Sequence, residues 1–102
     1  MAVGDVISDI ISLLTLTTSD FRPAVGVEIM LTQLGHSTAS GAVLIDFLLV
    51  DGVIGTLFYS NPAIDITIPI IIKMGITNTV WFRMANDSTG TEELCFSGIQ
   101  IQ

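Results

Sequence analysis

The sequence predicts an all-β domain: an antiparallel β-sandwich or jelly roll of about seven or eight strands, with a short N-terminal arm or helical turn. Alternation is the first observation behind this. Val25, Val27, Ile29 and Leu31 alternate with Gly26, Glu28, Met30 and Thr32, and Ile64, Ile66, Ile68 and Ile70 occupy every second position. A period of two marks strands that bury one face. Second, turn-forming clusters recur at a spacing of about 8–12 residues, as sandwiches require. Third, 50% of the residues are hydrophobic and only 13% are charged, yet the longest apolar run, Ala42 to Val50, contains Asp46. A membrane-spanning helix needs about 20 apolar residues, so none is expected and no membrane partner is implied.

The elements follow in order. Val6, Ile7, Ile10, Ile11 and Leu14 fit a helical stripe with Asp5 as N-cap. Residues 1–12 therefore read as an arm, mobile or helical, that clasps a neighbour, and residues 13–102 as the β-sandwich. Arm deletion should then spare the fold. A first core strand is the competing reading of the same segment. The β-branched run from Leu14 to Thr18 favours extended chain, so a strand is expected over about 13–22, ended by Pro23. Residues 24–34 form an alternating strand, followed by a polar loop at 35–41 that holds His36. Residues 42–50 and 53–60 flank Asp51-Gly52, a pair suited to a type I′ hairpin turn because both central residues need positive φ. Ser60-Asn61-Pro62 is the next turn. The strand at 63–73 contains Pro69, which places it at an edge or bulge. Residues 77–85 and 91–101 are the last two strands, separated by the turn at 86–90.

Length and charge narrow the function. At 102 residues there is room for one core. Several positions that should be polar on a half-buried strand are apolar: Met30, Leu44, Leu48, Val50 and Ile71. A strand apolar on both faces is covered on both faces, so assembly with other subunits is expected. Three basic residues against ten acidic ones give a net charge of -7, which argues against binding nucleic-acid phosphates. The acids are scattered and form no calcium-loop motif. The N-terminus has no basic region and carries Asp5 and Asp9, unlike a signal peptide.

No catalytic, metal or cofactor motif is present. His36 is the only histidine and reads as a solvated loop residue. Cys95, the only cysteine, reads as a small buried hydrophobe between Leu94 and Phe96. No nucleophile elbow or phosphate-binding glycine loop occurs. Trp81, Phe82, Phe58, Tyr59 and Phe47 are either core or a stacking platform for a sugar. Trp81 and Phe82 are adjacent, so one of them faces away from the core. Arg22, Lys73 and Arg83 are the only cations and lie among apolar neighbours, a setting in which a cation usually pairs with a carboxylate within the chain or across an interface, and an interface contact is expected for at least one of them. The candidate interface with other subunits or a partner protein is therefore Val6, Ile7, Ile10, Ile11, Arg22, Lys73, Trp81 and Arg83.

Two segments carry a family resemblance. Phe21-Arg22-Pro23-Ala24-Val25-Gly26-Val27-Glu28-Ile29 resembles the R/Q-P-x-x-G-x-E opening of a strand in small virion proteins of tailed bacteriophages. Asn78-Thr79-Val80-Trp81-Phe82-Arg83-Met84, followed by a polar hairpin and Phe96-Ser97-Gly98-Ile99-Gln100-Ile101, looks like that group's closing hairpin. The resemblance spans residues 13–102 and rests on structural motifs, none of them catalytic. Where the family often has an aromatic in the 29–36 strand, this chain has Ile29 and Met30. It implies a compact trimeric β-sandwich without a cofactor. Such a protein would be a capsid decoration or cement protein that binds the major capsid protein on the outer head surface, with a head fibre as a further partner. The alternative it implies is a head-fibre or tail-fibre tip that grips host polysaccharide through an exposed aromatic such as Trp81 or Tyr59.

Overall fold

A computed structural model describes residues 2–36, 44–60, 70–88 and 90–102. Among these, eight strands and no helix occur: β1 (Val6–Leu13), β2 (Thr17–Phe21), β3 (Ile29–His36), β4 (Ile45–Val50), β5 (Gly55–Ser60), β6 (Ile70–Ile76), β7 (Trp81–Asn86) and β8 (Glu92–Gln100). They form two four-stranded sheets, ordered β1-β8-β3-β6 and β2-β7-β4-β5.

The pairing has a simple origin. β1 pairs with β8, β2 with β7, β3 with β6 and β4 with β5, all antiparallel. This is one long antiparallel ribbon folded back at the β4–β5 turn. Wrapping the ribbon on itself adds the lateral pairs β3·β8 and β4·β7 and splits it into two facing sheets. The result is a jelly roll, as the turn spacing and alternation predict.

Between the sheets lies one apolar cluster. Ile29, Leu31, Leu34, Leu94 and Ile76 enter from one sheet and Ile45, Phe47, Phe82 and Met84 from the other. Phe82 meets Phe96 edge-on across the gap at 6.2 Å between ring centroids, and Phe21 stacks on Phe96 at 4.6 Å. These aromatic contacts join the two layers directly.

Several local expectations change. The helical stripe at the N-terminus is instead β1, paired with β8 from Val6↔Ile99 to Leu13↔Glu92. Ile7, Ile11 and Leu13 turn to the core while Val6 and Ile10 face out. A strand apolar on both faces mimics a 3.6-residue stripe, because 7 and 11 lie on one side and 6 and 10 on the other. The arm boundary at residue 12 falls inside this strand. Removing residues 1–12 would strip most of the edge strand β1 and leave β8 as the sheet edge. The strand expected over 24–34 starts later, at Ile29. Val25 and Gly26 form a turn, with Val27 N–H donating to Ala24 O at 3.0 Å and Gly26 at φ +83°.

At β4–β5 the connection has four residues, Asp51–Ile54, and only Gly52 has positive φ there. A two-residue type I′ turn is excluded. Instead the Asp51 carboxylate accepts from the Val53 and Ile54 N–H groups at 2.9 and 2.7 Å, closing an Asx-type loop. These donors hold the Asp51 carboxyl below its ordinary pKa of 3.8, Ile54 foremost. Leu16, in the β1–β2 turn, takes a left-handed φ of 58°, which costs a leucine about 1 kcal/mol. β6 is an edge strand. Pro69 itself, the loop from Ser37, the Asn61-Pro62 turn and the alternation at Ile64, Ile66 and Ile68 lie outside the described residues.

Candidate functional site

Two outward faces hold the residues singled out from sequence. On the β2-β7-β4-β5 sheet, Trp81 and Phe82 do point to opposite sides. Phe82 is fully buried in the core, and Trp81 lies on the outer surface yet is only 6% exposed. Its own chain covers it. The Arg22 guanidinium sits 3.9 Å from the ring centroid, and the Gly52 turn lies beside the ring edge. The indole N–H donates to Asp20 Oδ2 at 3.0 Å. Arg22 Nε also donates to Asn78 O at 2.8 Å, and Asn78 Nδ2 to Pro23 O at 3.0 Å. These bonds tie the β2–β3 and β6–β7 connections together.

Asp20 is the centre that sequence reasoning missed. It faces Arg83 across the β2–β7 register and takes two parallel bonds from it, Nε–Oδ1 at 2.6 Å and Nη2–Oδ2 at 2.8 Å. The Arg83 hydrogen bond is the largest cause holding the Asp20 carboxyl below its ordinary 3.8, against a smaller opposing effect of burial. Arg83 is raised by the same bond. Arg83 thus finds its carboxylate within the chain, and Arg22 finds a ring and a carbonyl.

A depressed folded pKa lends stability that is complete above the unfolded value and lost as pH falls through the folded one. The Asp20–Arg83 contribution is therefore present above about pH 4 and fades below it. Asp20→Asn should lower stability at neutral pH by about 1 kcal/mol, since water screens a partly exposed pair. It should also flatten the acid limb. Denaturant midpoints at pH 7 and near pH 3 check both; an unchanged acid limb would count against the assignment.

The second face is the outside of β1-β8-β3-β6. Residues directly opposite in a sheet share a face. One row across it is Val6, Ile99, Met30 and Gly75. The next is Ser8, Ser97, Gln33 and Ile71, and the third is Ile10, Cys95 and Gly35. Charged groups border these rows: Glu93 lies opposite Ser12 in the next row, and the Glu28 carboxylate lies beside Gly75. Val6 is 76% exposed, Ile10 70% and Ile71 85%. Lys73 lies on the same face of β6, between Ile71 and Gly75. Val6 and Ile10 thus come together with Lys73 on this surface. Ile7 and Ile11 pack inward, Trp81 and Arg83 belong to the other sheet, and Arg22 directly follows β2 of that sheet.

The remaining candidates are structural. His36 ends β3 rather than lying in a loop. It is buried, with Nε2 3.2 Å from the Tyr59 hydroxyl. Cys95 is half-exposed on the outer face of β8, not buried, because Leu94 and Phe96 take the inward positions. Phe47, Phe58 and Tyr59 stack among themselves against the core instead of forming an open platform. Among the described residues no cluster of three or more His, Cys, Asp or Glu could hold a metal ion.

Fold and surfaces together define, over the described residues, a small jelly roll of eight strands with two distinct outward faces. A solved structure with a similar fold is a pentameric capsid protein from metagenomic phage sequences, at a TM-score of 0.50 and 11% identity over 95% of this chain. This chain spans 61% of that protein's length. At that identity the similarity is one of fold. No protein-family model matches the chain, and no curated protein matches it in sequence.

Proposed function

We propose that the chain is a structural protein of a phage virion: a capsid decoration or cement protein that forms a homotrimer and bridges neighbouring major capsid subunits on the outer head surface. The observation that carries this is the set of exposed apolar side chains, Val6, Ile10 and Ile71 with Met30 and Ile99, gathered on the outer face of β1-β8-β3-β6 in a chain of net charge -7. A surface of that kind is kept for contact with protein. The jelly-roll likeness to a phage capsid protein and the virion-protein motifs at Phe21–Ile29 and Asn78–Ile101 agree with it. The role needs no catalytic step and no cofactor. Binding the assembled shell more tightly than free capsid subunits stabilises the shell by mass action.

The polysaccharide-gripping fibre tip draws no support from Trp81, since Arg22 occupies its ring face. Light scattering at micromolar concentration tests the assembly. A mass three times the 10.9 kDa of one chain is expected. A stable monomer would overturn the trimer. A five-chain mass would instead match the pentameric state of the structural neighbour. Sedimentation of the purified protein with heads of a phage that encodes it then tests the capsid contact.

A further inference from the structure

We propose that Asp9 closes the free edge of β1 to strand pairing with a second copy. Four strands end the two sheets: β1, β6, β2 and β5. β1 is the longest of them, at eight residues. Its sequence, from Val6 to Leu13, is rich in isoleucine and carries a single charge, Asp9. A segment of that kind on an open edge is a template for pairing with its own copies.

The register shows why the one charge stands at position 9. Gln100 N–H donates to Asp5 O at 3.1 Å. Antiparallel ladders alternate, so Ile7, Asp9, Ile11 and Leu13 bond across to β8. Ser8, Ile10 and Ser12 then direct their backbone N–H and C=O groups to the free edge. Ile10 is the middle one of these, and its N–H donates to Asp9 Oδ1 at 2.8 Å. A strand arriving at this edge meets a donor already taken and a carboxylate in its path.

The side-chain register adds a second barrier. Asp9 shares its side of β1 with Ile7, Ile11 and Leu13, which pack on the core, and it lies opposite the buried Phe96. Yet Asp9 is exposed, unlike those three. A charge on the core side of a strand is tolerable while the edge stays open to water. A strand added alongside would shut the carboxylate away from solvent. A two-fold pairing centred on Ile10 would also bring the two Asp9 carboxylates near each other across the seam, where like charges repel.

Asp9→Val suits the core side and frees the Ile10 N–H. Its mass by light scattering should rise with concentration to at least twice that of wild type, with an infrared amide band of intermolecular strands. Its urea midpoint in dilute solution should equal or exceed that of wild type. Asp9→Lys retains a charge at the edge and should keep the wild-type mass. Adding Ile10→Pro to Asp9→Val removes the N–H that the new ladder needs, at an edge position that tolerates proline, and should return the mass to that of wild type. Adding Ser12→Lys instead sets a charge on the same edge; it should do the same, and it decides the matter if the proline unfolds the chain. A folded Asp9→Val of wild-type mass at every concentration would overturn the edge role. So would assembly of Asp9→Lys, or assembly of Asp9→Val that persists with both added substitutions. Assembly with a lowered urea midpoint would overturn it too, since the contact would then arise from unfolded chains.

Discussion

Phe82→Ala is expected to cost about 3–5 kcal/mol, the range for truncating a buried aromatic. Phe82 is fully buried on β7, and its ring touches Phe47 at 5.5 Å, Phe58 at 6.2 Å and Phe96 at 6.2 Å. Phe47 and Phe58 belong to its own sheet and Phe96 to the opposite one, so the lost ring opens a cavity where the layers meet. Stabilities of small domains are about 5–15 kcal/mol, so a large share of this one would go. Trp81→Ala, one residue away, should cost less, about 1–3 kcal/mol. Its ring covers an outer surface and packs on Arg22, and its loss leaves no cavity between the sheets. Urea denaturation of both variants measures the contrast. Equal losses would mean that the outer face is as tightly packed as the core.

Asn86→Ala should be the most damaging polar truncation, at about 2–4 kcal/mol. Asn86 is fully buried at the end of β7. Its Nδ2 donates to Leu13 O at 2.8 Å and to Gly90 O at 3.0 Å, and its Oδ1 accepts from Ser88 N–H at 2.8 Å. One side chain thereby fastens the end of β1 to the β7–β8 turn. The same region is tied by Leu16 N–H to Asn86 O, Asp87 N–H to Leu44 O, Leu44 N–H to Ser88 Oγ, and the Thr15 hydroxyl to Ser88 O. Alanine leaves two carbonyls and an amide without their partner. Asn86→Asp keeps the shape but sets a carboxylate against two carbonyl oxygens. Its pKa should rise in the folded state, so the variant should recover stability relative to wild type as pH falls through that raised value. Thermal or urea unfolding at pH 7 and pH 5 reads this. A variant as stable as wild type at both would show the Asn86 bonds to be dispensable.

Much of the architecture was legible because it is local. Alternation and turn chemistry act over a few residues, so β3, β4, β5, β7 and β8 lie where the pattern places them, to within a few positions. Misreadings share one physical cause. A short apolar segment satisfies two periods at once, and only its partner decides between them. Val6, Ile7, Ile10 and Ile11 read as a helical stripe until β8, almost ninety positions away, supplies the ladder. Asp51-Gly52 marks a hairpin correctly, but the Asp51 carboxylate chooses a four-residue connection over the tighter turn. His36 and Cys95 exchange expected environments, because burial depends on which face the register presents.

The candidate surface divides the same way. That the chain has more apolar area than one small fold hides was visible in its composition. So was the need of its few cations for partners, and the opposed directions of Trp81 and Phe82. Which cation meets which carboxylate was not visible: Asp20 reaches Arg83 through a pairing between residues 63 positions apart. Nor was it visible that Val6, Ile10, Ile71, Ile99 and Met30 share one face, since they come from four strands scattered along the chain. The sequence alone determined the strand period, the turn sites, the acidity and the apolar surplus, because each is a property of neighbours in the chain. The tertiary structure decided sheet order, ion pairs and the shared apolar face, because those depend on non-local pairing, whose register sets the side on which every side chain emerges.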